Sequence, residues 1–325
     1  MKIIKYGVLE YFEYPWQKQN DYALYIKTRI NKYFIPFFDN KYKFEYIDNV
    51  NVNECDICFY NLFSINYDDL KNESIFTKVK GNPIFILYKH NEYPYYPELQ
   101  SSNIDTLKIW TNNFKNYSIS TYDDSPTNLF FPLFDIESIK KHIDDRQKFD
   151  ISIKSKFANW ISSNPCLPRK NMIDYLNEHY KHIDYYGDIY YGNNTLNKGQ
   201  KLPGHFFQDN DIHYLYKFNF AFENCATKDN VIYISEKIEH GYRNNSIPIY
   251  WGCSNVIKFF NTESFINLCG LTYDEMISKI SEVDNNDELY KHMFYSYPFK
   301  DKNFDYIGFF EERLKKFLQN ILEQI

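Results

Sequence analysis

The chain has 325 residues and a formal net charge of −6, and 44% of its residues are hydrophobic, 20% aromatic and 25% charged. This length exceeds what one hydrophobic core usually organises, so two globular domains are expected. The acidic balance disfavours nucleic-acid binding, and no apolar run reaches the ~20 residues that span a bilayer, so we expect no transmembrane segment.

Strand-like runs alternate with amphipathic stretches in the first half of the chain. The predicted strands are Lys2–Leu9 and residues 55–63, 83–88 and 107–110, and the predicted helix is residues 21–34. Alternation of this kind predicts an α/β domain with a mainly parallel sheet. The sequence becomes highly charged at residues 140–148, so we predict that the first domain spans residues 1–145.

The second half repeats this alternation. The predicted strands are residues 149–157, Ile183–Tyr186, 218–222 and Ile247–Trp251, and the predicted helices are residues 168–179 and 233–243. Pro168 suits a helix start, because the backbone N–H that proline lacks is not needed there. We therefore predict a second, Rossmann-like domain over residues 146–300.

Residues 309–325 are the last predicted element, an amphipathic helix within a C-terminal segment of residues 301–325. We expect it to pack on the body of the protein, because it carries glutamates as well as lysines; peripheral membrane contact is the alternative. Two Rossmann-like domains of similar size would face a central cleft. Ligands of such sheets lie outside the carboxyl ends of the strands, so we expect the chemistry in the loops after Phe157 and Phe222.

A polar pair and a charged helix start give the strongest functional signal. Glu223 and Asn224 end a buried strand, and Glu236 and Lys237 lie in the first turn of the next predicted helix. A helix start attracts phosphate through its free N–H groups, and Lys237 adds a full positive charge. The carboxylate of Glu236 suits the two hydroxyls of a ribose. An isolated Glu-Lys pair is usually an ordinary surface pair, but strand, polar turn, helix and strand together predict a nucleotide-binding half-fold.

Five short motifs of this segment also occur in a fixed order: Phe222-Glu223-Asn224, Tyr233-x-x-Glu236-Lys237, Ile247-Pro248-Ile249, Trp251-Gly252 and Ser264-Phe265-Ile266. Together they resemble the GDP-fucose-binding signature of the α-1,3-fucosyltransferase family. The loop between the first two motifs is longer than in the family pattern. The resemblance implies an α/β fold of the GT-B type, with the donor GDP-fucose bound by the second domain and the acceptor by the first.

Upstream residues extend the resemblance. Ser163-Asn164-Pro165 followed by Arg169 is similar to the family's Ser-Asn element and its diphosphate-binding arginine, and Asn91-Glu92-Tyr93-Pro94 is similar to its Glu-x-Pro element. This implies that Glu92 is the catalytic base; the nearby Glu98 is the alternative. The implied donor-binding residues are Arg169, Asn224, Tyr233, Glu236 and Lys237.

The implied reaction is an inverting transfer of L-fucose from GDP-fucose to a sugar hydroxyl, with the 3-hydroxyl of GlcNAc in a lactosamine-type glycan as the family's acceptor. A single in-line displacement passes through an oxocarbenium-like state and needs a base for the attacking hydroxyl. Negative charge grows on the diphosphate leaving group, where Arg169 offers a planar fork and Lys237 a point charge.

The candidate metal ligands do not form a convincing set. Asp209 and Asp211 have the Asp-x-Asp spacing used by other transferases, but they lie in a polar loop before the predicted strand. Cys55 and Cys58 lack a second pair of ligands at zinc spacing, so they predict buried thiols of a reducing compartment. We expect no obligatory metal, because two cationic side chains already face the diphosphate; stimulation by Mn²⁺ is compatible with this expectation.

Two other functions fit the same residues. The fold could serve another GDP-sugar donor, or the chain could be a non-catalytic glycan-binding protein; donor-dependent GDP release separates both from a fucosyltransferase. The expected partners are a nucleotide sugar and a glycan acceptor. The chain begins with strand-like sequence and shows no secretory signal, so we expect a cytoplasmic enzyme of bacterial or large-virus type.

Overall fold

The structure is a computed structural model. It describes residues 1–9, 24, 27–28, 30–38, 40–47, 54–60, 83–88, 116–120, 124–126, 128–132, 134–162, 167–186, 211–224, 226 and 232–325. The chain folds as two units. The first unit comprises Met1–Phe131 and Asp305–Ile325, and the second comprises Pro132–Phe304.

A parallel sheet built from six strands of the described residues forms the centre of the first unit. In chain order these strands are β1 (Lys2–Leu9), β2 (Tyr42–Tyr46), β3 (Ile57–Tyr60), β4 (Ile84–Tyr88), β5 (Asn116–Ser120) and β6 (Asn128–Phe130). Their order across the sheet is β2-β1-β3-β4-β5-β6, and every neighbouring pair is parallel. Because β2 and β3 lie on opposite sides of β1, the winding direction reverses there, as in doubly wound α/β folds.

Apolar side chains of these strands build the core of the first unit. Ile4, Phe59 and Ile86 are buried on neighbouring central strands. A short π-helical turn, Ile30–Phe34, runs directly into helix α1 (Ile35–Phe38). Phe34 at this junction packs edge-on against Phe59, with ring centroids 5.7 Å apart. Burial on both faces explains why the strands of a parallel sheet form continuous apolar runs in the sequence.

The second unit contains another parallel sheet, to which five strands of its described residues contribute. They are β7 (Lys156–Ile161), β8 (Ile183–Tyr186), β9 (Tyr216–Phe222), β10 (Ile247–Trp251) and β11 (Ile266–Asn267). The order across the sheet is β11-β10-β9-β7-β8, and each neighbouring pair is parallel. Strand β9 lies at the centre and is buried along almost its whole length.

Helices with well-defined caps surround the second sheet. In chain order they are α2 (Ile136–Lys148), α3 (Leu167–His179), α4 (Glu236–Arg243), α5 (Tyr273–Asp284) and α6 (Asp287–Tyr295). Asp135 caps α2 by accepting the N–H of Ser138, and Thr272 and Glu275 form a capping box on α5. Helix α4 ends before Asn245, whose φ of 50° is left-handed, a conformation that asparagine tolerates better than most residues.

The division between the units differs from the boundary that the charge pattern predicts after residue 145. That position falls inside α2, which packs in the second unit: Glu239 of α4 accepts the N–H of Asp135 at 2.9 Å, and Nη1 of Arg146 donates to the backbone oxygen of Ser246 at 2.9 Å. Residues 140–148 therefore lie in a docked helix on which Arg146 is buried, and the second unit begins at Pro132.

The last helix, α7 (Tyr306–Leu322), belongs to the first unit. Its buried apolar side chains join the core of the first sheet; they are Leu314, Leu318, Ile321 and Leu322. Arg313 on the same helix forms an ion pair with Asp124. The helix predicted over residues 309–325 is thus present and packs on the sheet of the first unit. Within the described ranges, no helix is long and apolar enough to cross a membrane.

Two predicted elements of the second unit begin elsewhere in the structure. Residues 149–157 do not form one strand, because Asp150 accepts the N–H of Ser152 and starts a 3-10 turn at Ile151–Ile153, after which β7 begins at Lys156. The helix predicted from residue 233 begins at Glu236, because Ser235 is its N-cap. Residues 107–110 and most of residues 21–34 lie outside the described part of the chain.

Candidate functional site

The winding of the second sheet marks one strand end as a ligand site. The chain passes from β7 outward to β8 and returns to β9 on the opposite side of β7. Right-handed crossovers that leave in opposite directions place α3 and α4 on opposite faces of the sheet. Ligands of doubly wound sheets bind outside the carboxyl ends of the strands at such a reversal. The expected site therefore lies around Ser162, which follows β7, and Glu223, which follows β9.

Arg169 in the first turn of α3 reaches this strand end. Its side chain is buried, and its Nη1 donates a hydrogen bond to the backbone oxygen of Phe222 at 3.1 Å. The guanidinium carbon lies 5.9 Å from the ring centroid of Trp160. Phe222 is the last residue of β9, so the guanidinium is held at the carboxyl end of the central strand. A fixed planar cation in this position suits a diphosphate.

Glu223 is the fully buried acid of the site. Its backbone N–H donates to the oxygen of Trp251 at 2.8 Å, which joins the ends of β9 and β10. Its Oε1 accepts the N–H of Ser235 at 2.7 Å, and its Oε2 accepts the hydroxyl of Ser235 at 2.7 Å. The carboxylate thus connects the end of the strand to the residue that caps α4.

Lys237 carries the positive charge at the start of α4. Its Nζ donates to Oγ of Ser235 at 2.9 Å and lies 3.4 Å from Oε2 of Glu223 and 3.4 Å from Oε1 of Glu236. Its side chain is 20% exposed, so the ammonium is partly accessible. Oγ of Ser235 also accepts the N–H of Lys237. The N–H groups of Ser235 and Lys237 are thus already bonded, and the ammonium supplies most of the charge that a phosphate would meet.

The two acids beside Lys237 differ in their protonation behaviour. Burial raises the pKa of Glu223, and Lys237 and the hydrogen bonds from Ser235 oppose this effect. Burial also acts to raise the pKa of Glu236, but Lys237 and His240 outweigh it and lower that pKa to about 2. Glu236 is therefore ionised at neutral pH, and its carboxylate can only accept hydrogen bonds. An obligate acceptor of this kind suits the hydroxyls of a ribose.

Gly252 gives Glu223 the space that it occupies. A Cβ atom added at residue 252 would lie 2.5 Å from Cγ and 2.7 Å from Cβ of Glu223. The hydroxyl oxygen of Tyr250 would be 3.0 Å away from the same atom. Real Cβ atoms do not approach other atoms this closely, so the Trp251-Gly252 motif is a packing requirement of the acid at the end of β9.

The structure brings most of the predicted donor-binding residues to this strand end. Arg169, Glu236 and Lys237 lie on the first turns of α3 and α4, and Asn224 is buried directly after Glu223. Tyr233 is also buried, in the extended segment that leads to α4. The predicted base Glu92, its alternative Glu98 and the segment 163–166 lie outside the described residues.

A second group of polar residues lies inside the unit and was not predicted. Nδ2 of Asn219 donates to Oδ1 of Asn159 at 2.7 Å, and Nδ2 of Asn159 lies 2.9 Å from Nδ1 of His213. Nδ1 of His213 is therefore the acceptor, and its proton is on Nε2. Burial lowers the pKa of His213 to about 4, so the ring is neutral. Only the polar residues within the apolar run 216–222 could have indicated this network.

The sequence placed Glu223 beside Asn224 at the end of a buried strand, but it assigned no role to Glu223. An acid that directly ends a largely apolar strand is expected to be buried, and a buried acid requires partners. The partner Ser235 lies twelve residues later along the chain, a contact that spacing alone does not reveal. Among the described residues, no group of three His, Cys, Asp or Glu side chains could hold a metal ion, and Asp209 lies outside them.

The sequence of this region is similar to a known family. Residues 151–302 match the sequence model of glycosyltransferase family 10 (fucosyltransferase), C-terminal part. The α-(1,3)-fucosyltransferase of Helicobacter pylori is 32% identical over 176 residues, which are 53% of this chain and 34% of that protein. The GDP-fucose protein O-fucosyltransferase 3 of Xenopus laevis is 30% identical over 132 residues, or 38% of this chain and 27% of that protein.

The fold is similar to that of a solved enzyme. The crystal structure of an α1,3-fucosyltransferase with GDP-fucose superposes with a TM-score of 0.63 and 22% sequence identity, covering 99% of this chain and 91% of that one. The prediction of an α/β fold of the GT-B type is confirmed. The matched part of the chain spans about a third of the length of the curated relatives.

Proposed function

We propose that this chain is an enzyme that transfers L-fucose from GDP-fucose to a sugar hydroxyl, because residues 151–302 match the sequence model of glycosyltransferase family 10. The observation that carries the proposal is the pair of cations around the end of β9. Arg169 is hydrogen-bonded to Phe222, and Lys237 is held beside Glu223. Such a pair stabilises the charge of a nucleoside diphosphate leaving group.

Each proposed donor-binding residue contacts the part of the donor that suits its chemistry. The planar fork of Arg169 and the ammonium of Lys237 bind the diphosphate. The ionised carboxylate of Glu236 accepts hydrogen bonds from the ribose hydroxyls, in line with its pKa of about 2. Asn224 and Tyr233 contribute to the nucleotide pocket. In this proposal the second unit binds the donor, and the first unit binds the acceptor.

The proposed chemistry is a single in-line displacement with inversion at the anomeric carbon. The acceptor oxygen forms a bond to C1 of fucose while the bond from C1 to the diphosphate oxygen breaks. Glu92 is proposed as the base that takes the proton of the attacking hydroxyl, with Glu98 as the alternative. Removal of one fixed donor from developing negative charge typically costs about 3 kcal/mol in the barrier, which sets the expected contribution of Lys237.

The proposed acceptor is the 3-hydroxyl of GlcNAc in a lactosamine-type glycan, as the family resemblance implies. The identity to a relative named GDP-fucose protein O-fucosyltransferase favours a second candidate, a serine or threonine hydroxyl of a protein. Both acceptors offer an alcohol with a pKa far above 7, so both need the same base. The two acceptors differ in shape, so GDP release measured with each of them distinguishes them.

We propose no obligatory metal, because Arg169 and Lys237 supply two positive charges where the leaving group is expected. Stimulation by Mn²⁺ remains compatible with this proposal. We also propose a cytoplasmic site of action. The described cysteines Cys55, Cys58, Cys253 and Cys269 form no disulfide with one another, as is usual in a reducing compartment.

Release of GDP from GDP-fucose tests the proposal. The assay compares GDP-fucose with GDP-mannose as donors and N-acetyllactosamine with a folded protein module as acceptors. We expect acceptor-stimulated release from GDP-fucose alone. Lys237→Met should lower this release by about 100-fold. Lys291→Met is the matched control, because Lys291 is an exposed lysine on α6 that pairs with Glu288.

Three outcomes would contradict the proposal in different ways. Turnover of GDP-mannose instead of GDP-fucose would contradict the donor, and leave a GDP-sugar transferase. Glycan binding without any GDP release would indicate a non-catalytic glycan-binding protein. Equal losses in Lys237→Met and Lys291→Met would contradict the role of the end of β9 as the site.

A further inference from the structure

We propose that Glu223 is a positioning residue that holds Lys237 in place for the donor diphosphate and acts through Ser235; this inference rests on the proposed function. Both carboxylate oxygens of the buried Glu223 accept hydrogen bonds from Ser235, so we infer that it acts through this neighbour rather than on the substrate. None of the family motifs by itself assigns a role to this carboxylate. Its contacts in the structure do.

The three side chains form a closed set of contacts. The carboxylate of Glu223 accepts both the N–H and the hydroxyl proton of Ser235, each at 2.7 Å. Because the hydroxyl donates to Glu223, its oxygen is left to accept, and Nζ of Lys237 donates to it at 2.9 Å. Nζ of Lys237 also lies 3.4 Å from Oε2 of Glu223. Glu223 therefore sets both the direction of the serine hydroxyl and the place of the ammonium.

Charge as well as shape is required at residue 223. A buried carboxylate is unfavourable unless it is paired and hydrogen-bonded, and here Ser235 and Lys237 provide both. A glutamine would keep an acceptor for the N–H of Ser235. Its NH₂ group would then face the serine hydroxyl and Lys237, and two sets of donors would compete. Glu223→Gln should therefore release the ammonium without opening a cavity.

The carboxylate is fixed by two strands, which makes it a rigid support. The N–H of Glu223 donates to the oxygen of Trp251 on β10 at 2.8 Å, and the Cβ and Cγ of Glu223 fill the space that the absent side chain of Gly252 leaves open. A free lysine side chain samples many rotamers and loses them on binding. Holding Lys237 before the donor arrives removes that loss and provides a preorganised charge for the leaving group.

A double-mutant cycle tests the inference in the full-length chain. The variants are Glu223→Gln, Lys237→Met and the double replacement, and the readout is kcat/KM for GDP release from GDP-fucose. We expect Glu223→Gln to lower kcat/KM by about 10–100-fold in the wild-type background but by less than about twofold when Lys237 is already Met. Most of the first loss should be in kcat, because the charge matters most for the leaving group.

Glu239→Gln is the matched control. Glu239 is a second buried glutamate on α4; it accepts the N–H of Asp135 at 2.9 Å and lies 3.5 Å from Arg243. Glu239→Gln should change kcat/KM by the same factor in the wild-type background and in the Lys237→Met background. A purely structural role of Glu223 would give this additive result as well, so equal factors for Glu223→Gln in both backgrounds would overturn the inference.

Further measurements keep the inference separate from folding and from the proposed function. If Glu223→Gln does not fold, Ser235→Ala replaces it; this variant removes the linking hydroxyl, which also caps α4, and the same non-additivity with Lys237→Met is expected. If the wild type releases no GDP from GDP-fucose, the proposed function fails. The cycle is then read from the Kd of GDP, where coupling between residues 223 and 237 still supports the positioning role and strict additivity overturns it.

Discussion

One added methyl group at Gly252 should displace Glu223 and weaken both the second unit and its proposed nucleotide site. A Cβ atom at this position would lie 2.5 Å from Cγ of Glu223 and 3.0 Å from the hydroxyl oxygen of Tyr250. Carbon atoms pack at about 3.5–4.0 Å, so Glu223 would have to move by about 1 Å. Its two hydrogen bonds with Ser235, both 2.7 Å long, would not survive that shift.

Two separate costs follow from the displacement in Gly252→Ala. Overpacking of a filled interior costs about 1–3 kcal/mol. Loss of each hydrogen bond to a buried charged group costs about 1.5–3 kcal/mol, and two such bonds are lost. The free energy of unfolding should therefore fall by about 4–9 kcal/mol, and because each kcal/mol lowers Tm by about 2–4 °C in a unit of this size, Tm should fall by about 8–36 °C.

Thermal melting and GDP titration by calorimetry measure both effects of Gly252→Ala. Gly270→Ala is the control, because a Cβ there meets no atom within 4 Å. Gly270 has a φ of 79°, so its replacement should cost only the backbone strain of about 1–2 kcal/mol. The reasoning is refuted if Gly252→Ala melts no lower than Gly270→Ala and binds GDP as tightly as the wild type.

Three further predictions concern fixed or buried cationic groups. Arg169→Lys keeps the charge but loses the planar fork, so kcat for GDP release should fall by at least about 10-fold; an unchanged kcat would contradict its role. Burial lowers the pKa of His213 from 6.5 to about 4. The contribution of this residue to stability is therefore present above pH 6.5 and is lost as the pH falls towards 4. Melting curves of His213→Asn between pH 7.5 and 4.5 should show a shallower fall of Tm than those of the wild type. Burial lowers the pKa of Lys154 from 10.5 to about 6, and the charge of Arg146 adds a smaller effect. Between pH 6 and 10.5 Lys154 therefore takes up a proton when the chain unfolds, so stability rises with pH. Lys154→Met should melt about 2–4 °C higher at pH 7 and lose this pH dependence up to pH 9, and a lower Tm would contradict the unfavourable burial of its ammonium.

Buried strands were the most predictable elements of this fold. β1, β8 and β10 have the bounds that their apolar runs predict, because strands of a parallel sheet are buried on both faces and form continuous apolar segments. The start of α4 was less predictable. Tyr233 and Ile234 resemble the first turn of a helix in the sequence, but both are buried in an extended segment. The helix begins only after its N-cap, Ser235.

The sequence named candidate site residues by residue type, but it did not reveal the contacts between them. Arg169, Glu236 and Lys237 could be named because cations and acids near strand ends have a recognisable chemistry. The dependence of Lys237 on Glu223 arises only when the end of β9 meets the cap of α4, and this is a long-range contact. Composition alone also does not show where one unit ends, because a charged run such as 140–148 can lie on a packed helix.

The place of α7 in the first unit has a consequence for synthesis on the ribosome. The second unit is one continuous stretch, Pro132–Phe304, whereas the first unit is completed only by Asp305–Ile325. The core around Ile4 and Phe59 lacks Leu314, Leu318 and Ile321 until residues 305–325 have been translated. The N-terminal unit, although made first, must therefore finish folding last, and its unfinished apolar sheet face is the part of the nascent chain most exposed to aggregation or to chaperones.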